Sequence, residues 1–94
     1  MIVSFRDKRT ADFAAGAVVK AFQGFATQAE RRLAILNAAT STHDLAALRS
    51  NRLELLRGDR KGQFSIRINE RWRLCFEWPP QSKGPEKVEI VDYH

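Results

Sequence analysis

Hydrophobic residues recur at helical spacing in the first part of the chain and alternate with polar residues in the last part. Residues 1–5 are mostly apolar and predict a short strand, after which Asp7 is placed to cap a helix. Apolar positions then follow a helical period over residues 8–22, which predicts an amphipathic helix that Gly24 ends.

A second helix is predicted from the segment TQAE at residues 27–30, which has the form of a capping box. Leucine and alanine at helical spacing follow, and the hydroxyl side chains of residues 40–42 end the pattern near Ala39. Residues 43–50 predict one loose turn, and residues 51–56 predict a short strand.

From residue 63 onward apolar and polar residues alternate, which predicts two antiparallel strands. Directly opposite residues of such a pair point to the same side of the sheet, so apolar must face apolar. Pairing Ile66 with Leu74 satisfies this rule and leaves residues 69–71 as a three-residue turn.

The same register places Arg67 directly opposite Arg73. Like charges at opposite positions destabilise a sheet, so this pair needs a compensating negative charge. A phosphodiester lying over that face is one candidate. The alternative is that Glu77 or Glu89, on neighbouring strands, neutralises the two arginines.

The aromatic residues of the second hairpin strand are interpreted as core residues. Trp72, Phe76 and Trp78 share their side of the strand with Leu74, so we expect them to face the helices. Cys75 shares the side of the arginines and is expected to be partly exposed, but it has no recognisable histidine or asparagine partner for thiolate chemistry.

Two prolines at positions 79–80 end the hairpin, and residues 87–93 predict a last strand. The order of elements is a strand, two helices and three or four further strands. It predicts an α+β fold, one domain over residues 1–94, in which the two N-terminal helices pack on one face of an antiparallel sheet. The other face is expected to stay open for a ligand.

Charge narrows the class of partner. Sixteen Lys and Arg residues stand against eleven Asp and Glu, a net charge of +5, and eleven of the sixteen cations are arginine. Because the planar guanidinium binds phosphate in a bidentate manner and stacks on bases, this excess indicates a nucleic acid or an acidic protein as partner.

Length and composition exclude several other classes. Ninety-four residues, 44% of them hydrophobic, are typical of a small folded domain, and no apolar run is long enough for a membrane span. The opening residues lack the apolar core of a secretory signal, so the expected compartment is the cytoplasm. One cysteine and two distant histidines predict neither a disulfide nor a metal site, and we expect no cofactor.

The chain closes with an acid, a phenol and an imidazole at Asp92, Tyr93 and His94. Each can hold or move a proton, and histidine titrates near neutrality. Taken alone, such a terminus is more typical of a frayed end than of an active site.

Several motifs in combination resemble the HigB branch of the RelE toxin superfamily. They are NRLE at residues 51–54, GDR at 58–60, SIRIN at 65–69, WRLCF at 72–76 and VDYH at 91–94. The resemblance spans the chain in length and in element order.

The resemblance implies the RelE-like microbial RNase fold and a bacterial type II toxin. Such a toxin is an endoribonuclease that cleaves mRNA in the ribosomal A site. A HigA-like helix-turn-helix antitoxin would silence it, and operator DNA would be bound only through that antitoxin. The family's chemistry places Arg67 and Arg73 around the scissile phosphate, and Asp92, Tyr93 and His94 as acid, base and orienting groups.

Other basic residues are then expected to bind RNA rather than perform chemistry. Some relatives carry a histidine near the position of Arg52, where this chain has a guanidinium that stays protonated. The expected RNA-binding residues are Arg31, Arg32, Arg49, Arg52, Arg57, Arg60 and Lys61.

The expected mechanism needs no metal. A base removes the proton of the ribose 2′-hydroxyl, the oxygen attacks the adjacent phosphorus, and an acid protonates the leaving 5′-oxygen to give a 2′,3′-cyclic phosphate. Two alternatives stay open: a noncatalytic nucleic-acid-binding module, and a toxin of the same fold that blocks DNA gyrase.

Overall fold

The α-helices precede the strands in the structure, a computed structural model that describes residues 1–92 of the chain. Three α-helices and three short 3₁₀ helices accompany four strands within these residues. The α-helices are α1 (Lys8–Ala14), α2 (Ala26–Ala38) and α3 (Thr42–Ala47), and the 3₁₀ helices are Lys20–Phe25, Arg49–Asn51 and Gly58–Arg60. The strands are β1 (Glu54–Leu55), β2 (Phe64–Arg67), β3 (Arg73–Glu77) and β4 (Glu86–Val91).

The four strands form one antiparallel sheet in the order β1-β2-β3-β4. The predicted hairpin register is confirmed, since Ile66 lies opposite Leu74 and Arg67 lies opposite Arg73. The turn also has the predicted length, because the Ile68 amide donates to the Trp72 carbonyl at 3.0 Å. The α+β class and the antiparallel sheet therefore follow the sequence prediction.

Helices and sheet enclose an apolar core on one face of the sheet. Ile66 and Leu74 are fully buried there, together with Phe22 from the first 3₁₀ helix. The Phe22 ring meets the Trp72 ring edge to face at 5.9 Å between centroids. The Trp78 ring likewise packs against the Phe76 ring, so the three aromatic residues of the hairpin pack as predicted.

The first helix is shorter than predicted. The Asp7 carboxylate caps it as expected, accepting from the Thr10 amide at 3.1 Å, but α1 ends at Ala14 rather than near residue 22. Gly16 adopts a positive φ of 102° just beyond that end, a conformation typical of glycine after a helix. Gly24 lies within the following 3₁₀ helix, so the prediction that it ends the first helix was wrong.

The second helix begins one residue before the predicted cap. Phe25 precedes α2 without a side-chain hydrogen bond, and Thr27 lies inside the helix, so the predicted capping box does not form. The end at Ala38 agrees with the prediction. At 13 residues α2 is the longest helix of residues 1–92, and none of these helices is long and apolar enough to cross a bilayer.

Three predicted elements have different extents in the structure. Residues 1–5 form no strand and instead run beside β4, with one parallel bridge between Phe5 and Val88. The predicted strand over 51–56 contracts to the two residues of β1. The loose turn predicted over 43–50 overlaps α3, which begins one residue earlier at Thr42. These segments are short, so a few backbone contacts from distant residues decide their form.

The outer edge of β4 is covered by the N-terminal segment and by α1. The Arg6 amide donates to the Val88 carbonyl at 2.9 Å, and the Ile90 amide donates to the Thr10 hydroxyl at 3.1 Å. Thr10 is fully buried. Its hydroxyl therefore provides the acceptor that a further strand would otherwise supply to this edge.

Thr10→Val removes this hydroxyl and nearly keeps the side-chain shape. We expect the free energy of unfolding to fall by about 1–3 kcal/mol, because the buried Ile90 amide loses its acceptor. Urea denaturation measures the change. The matched control is Thr27→Val, at an exposed position whose hydroxyl makes no hydrogen bond within residues 1–92. It should change stability by at most about 0.5 kcal/mol, and equal losses in the two variants would contradict the role of Thr10.

Candidate active site

Two arginines face each other at the end of the β2–β3 hairpin, and we call Arg67 and Arg73 the arginine pair. Both are half-buried. The Arg73 guanidinium donates to the backbone carbonyls of Asn69 and Trp72, the latter at 3.2 Å, which holds it over the turn. The Arg67 guanidinium makes no hydrogen bond or ion pair within residues 1–92.

The two glutamates considered as partners of the arginine pair bind other arginines. Arg6 Nη2 lies 3.2 Å from Glu77 Oε2, and Arg60 Nη1 lies 3.1 Å from Glu89 Oε1. A weaker contact of 3.7 Å joins Arg6 to Glu89. We call these four side chains the ion network. Neither of its carboxylates forms an ion pair with the arginine pair, so no carboxylate of β3 or β4 neutralises it.

Cys75 lies on the same side of the sheet and is only 1% exposed, so the prediction that it is partly exposed was wrong. Arg6, Arg60 and Glu89 of the ion network lie close enough to Cys75 for their charges to act on its thiol. Burial raises the pKa of the Cys75 thiol to about 12, and the nearby Arg60 guanidinium offsets only part of that rise. The face expected to stay open is therefore covered at Cys75.

Strand β4 brings Val91 and Asp92 close to the arginine pair. Val91 lies opposite Arg73, and Asp92 follows directly. The Asp92 carboxylate accepts two hydrogen bonds from Arg71, from Nε at 3.1 Å and from Nη2 at 2.7 Å. Tyr93 and His94, the other two predicted catalytic residues, lie outside the described residues.

Arg71 is the site residue that the sequence reasoning missed. It belongs to the turn between β2 and β3, where no alternation marks a functional side chain. Pairing β3 with β4 as well as with β2 would have indicated it, because that register brings the residue after β4 close to the turn.

The seven predicted RNA-binding residues fall into two groups. Arg32 and Arg60 take part in contacts within the fold: Arg32 Nη1 donates to Asn51 Oδ1 at 2.7 Å, and Arg60 Nη1 donates to Gln63 Oε1 at 3.0 Å. Burial, and to a lesser extent the charge of Arg31, lower the pKa of Arg32. The other five are exposed, namely Arg31, Arg49, Arg52, Arg57 and Lys61.

Within residues 1–92 no group of three or more His, Cys, Asp or Glu side chains lies close enough together to hold a metal ion. A polar depression over the ion network has Asp59 and Gln63 in its wall. Its other wall residues are the paired ions already described. The arrangement at the arginine pair is thus cationic, with one carboxylate at its border.

These features define a class: a small basic α+β domain whose antiparallel sheet presents two opposed arginines beside an acidic chain end. Residues 4–94 match the family model for the HigB-like toxin, described as the RelE-like toxin of the type II toxin-antitoxin system HigB. The chain therefore belongs to the HigB-like family of RelE-like toxins, as its motifs indicated.

One curated relative supports the assignment. Toxin HigB-1 from Vibrio cholerae serotype O1, El Tor Inaba, is 48% identical to this chain over 48 residues. The match covers 51% of this chain and 50% of the Vibrio protein, so it spans about half the length of the relative.

The Cys75 thiol should be unreactive in the native protein. With a pKa of about 12, its thiolate fraction at pH 8 is about 1000-fold below that of an ordinary thiol. We therefore expect labelling by an aromatic disulfide reagent at pH 8 to be at least about 100-fold slower in the native than in the unfolded protein. The control is the same chain in concentrated guanidinium chloride, and rapid native labelling would show that the sheet face is open.

Proposed function

We propose that this protein is a ribosome-dependent endoribonuclease that cleaves mRNA in the ribosomal A site and so inhibits translation. The observation that carries the proposal is the arginine pair, two cations held directly opposite each other with no carboxylate partner within residues 1–92. Two guanidinium groups in this arrangement suit a phosphate whose negative charge increases during reaction. Membership of the HigB-like family supports the same substrate class.

In the proposed reaction the phosphorus exchanges its bond to the 5′-oxygen of the next nucleotide for a bond to the ribose 2′-oxygen. A base takes the proton of the 2′-hydroxyl, the 2′-oxygen bonds to phosphorus, and the bond to the 5′-oxygen breaks as an acid protonates that oxygen. The products are a 2′,3′-cyclic phosphate and a 5′-hydroxyl. The arginine pair stabilises the nonbridging oxygens, and Asp92, Tyr93 and His94 supply the acid, base and orienting groups.

Binding to the ribosome is assigned to basic side chains outside the arginine pair. We propose that the five exposed residues among the seven predicted RNA-binding residues contact phosphates of ribosomal RNA. Arg32 and Arg60 stay among the proposed RNA-binding residues, although both also make contacts within the fold.

We further propose that the antitoxin is a HigA-like helix-turn-helix protein and that operator DNA is bound only through it. A net charge of +5 favours an acidic surface on that partner. The proposed place of action is the bacterial cytoplasm, where translating ribosomes are found, and the proposed chemistry uses no metal or cofactor.

Arg67→Gln and Arg73→Gln test the arginine pair separately. Each should lower the rate of mRNA cleavage on programmed ribosomes by about 100- to 1000-fold, because a positioned donor to the developing charge is lost. Lys8→Gln is the control: it removes one positive charge of an exposed pair with Asp12 on α1. Cleavage by either arginine variant at the control rate would exclude the pair from the chemistry.

Removing residues 92–94 tests the proton-transfer groups. The truncated protein should still bind ribosomes but should lose cleavage, which mapping of RNA 5′ ends after a short induction detects. Persistent cleavage would contradict the assignment of these residues. Ribosome binding without cleavage by the intact chain would identify a noncatalytic binding module, and growth arrest without new 5′ ends would direct attention to DNA gyrase.

A further inference from the structure

The ion pair between Arg71 and Asp92 joins two parts of the chain that are 21 positions apart. Arg71 lies in the β2–β3 turn, and Asp92 directly follows β4. Both Nε and Nη2 of Arg71 donate to the same oxygen, Asp92 Oδ2. The Arg71 side chain is 75% exposed, whereas that of Asp92 is 17% exposed. The arginine therefore reaches across the surface to a carboxylate that the fold largely covers.

The turn that presents Arg71 also holds one member of the arginine pair. Asn69 Oδ1 accepts from the amides of Arg71 and Trp72 at 2.9 and 2.8 Å. The Asn69 carbonyl accepts from the Arg73 guanidinium. Asn69 thus holds both the backbone that carries Arg71 and the guanidinium of Arg73. Because Arg71 binds Asp92, the same turn positions the Asp92 carboxylate and one member of the arginine pair.

We propose that Arg71 is a positioning residue, which holds the Asp92 carboxylate at a fixed place beside the arginine pair. The inference rests on the proposed function, because it assigns the chain end its chemistry. An exposed ion pair contributes little to overall stability, so the consequence of this pair is geometric. A small displacement of reacting groups lowers a rate strongly even where folding is unaffected.

A different role for the same arginine is a direct contact with RNA phosphate, and the two roles have different signatures. A phosphate contact changes KM and the dependence of binding on salt. A positioning residue changes kcat and the order of the chain end, while KM and the salt dependence stay as in the wild type.

Arg71→Gln is compared with the wild type, with Arg71→Lys and with the charge-matched control Lys8→Gln. Two measurements are made: amide hydrogen exchange at Val91 and Asp92 in the isolated protein, and cleavage kinetics on programmed ribosomes at several salt concentrations. We expect exchange at these amides to rise about three- to fivefold in Arg71→Gln, as the loss of an exposed ion pair allows. The kcat should fall about 10- to 100-fold at constant KM and constant salt slope.

Arg71→Lys should recover part of the lost kcat, because an ammonium keeps one of the donors to the carboxylate. Unchanged exchange and unchanged kcat in Arg71→Gln would overturn the proposal. So would a raised KM together with a salt slope smaller by about 0.7–0.9, which is the loss of one phosphate contact. If the wild type does not cleave mRNA, the proposed function fails, and the exchange measurement still decides whether Arg71 anchors Val91 and Asp92.

Discussion

The register of the β2–β3 hairpin is the constraint on which the candidate site depends. Ile66 and Leu74 face the helices from opposite positions, and burying each contributes about 2 kcal/mol. The repulsion between Arg67 and Arg73, which the same register places opposite each other, costs at most about 1 kcal/mol. Burial therefore decides the register. A slip by one residue would turn the whole apolar set away from the core, so the arginines stay opposed without any attraction of their own.

Charges on the same side of the sheet are divided into two regions. Over Cys75, the ion network pairs Arg6 and Arg60 with glutamates and makes this region a closed, structural one. At the turn, the arginine pair has no carboxylate partner in the part of the chain that the structure describes. An anion bound at the arginine pair would neutralise it, as the glutamates neutralise Arg6 and Arg60.

The hairpin was predictable because its period of two and its apolar pairing leave one register for Arg67 and Arg73. The end of the first helix was not, because apolar spacing continues past it into the 3₁₀ helix, and the turn at Gly16 interrupts the helix without interrupting the pattern. The buried state of Cys75 also escaped prediction, because Arg60, whose charge acts on the thiol, belongs to a 3₁₀ helix outside the hairpin. The alternation of residues along a strand gives the side of the sheet on which a residue lies. It does not give which long side chains from other elements cover that residue.

The candidate site was predictable to a similar degree. The opposed arginines follow from the alternation of apolar and polar residues along the two hairpin strands, without any family resemblance. Arg71 lies in a turn, where this alternation does not apply. Its contact with Asp92 depends on the second strand pairing, between β3 and β4, which the sequence does not fix. Family membership adds the class of toxin. The chemistry itself depends on whether the arginine pair binds a phosphodiester.

Nuclear magnetic resonance of the arginine Nε–H groups measures that directly, with a 2′-O-methyl dinucleotide as an uncleavable ligand. We expect the Arg67 and Arg73 signals to shift together and to saturate at the same ligand concentration. The signal of Arg6, which is paired with glutamates, should stay in place. Shifts confined to the exposed arginines, with the Arg67 and Arg73 signals unmoved at saturation, would contradict this expectation.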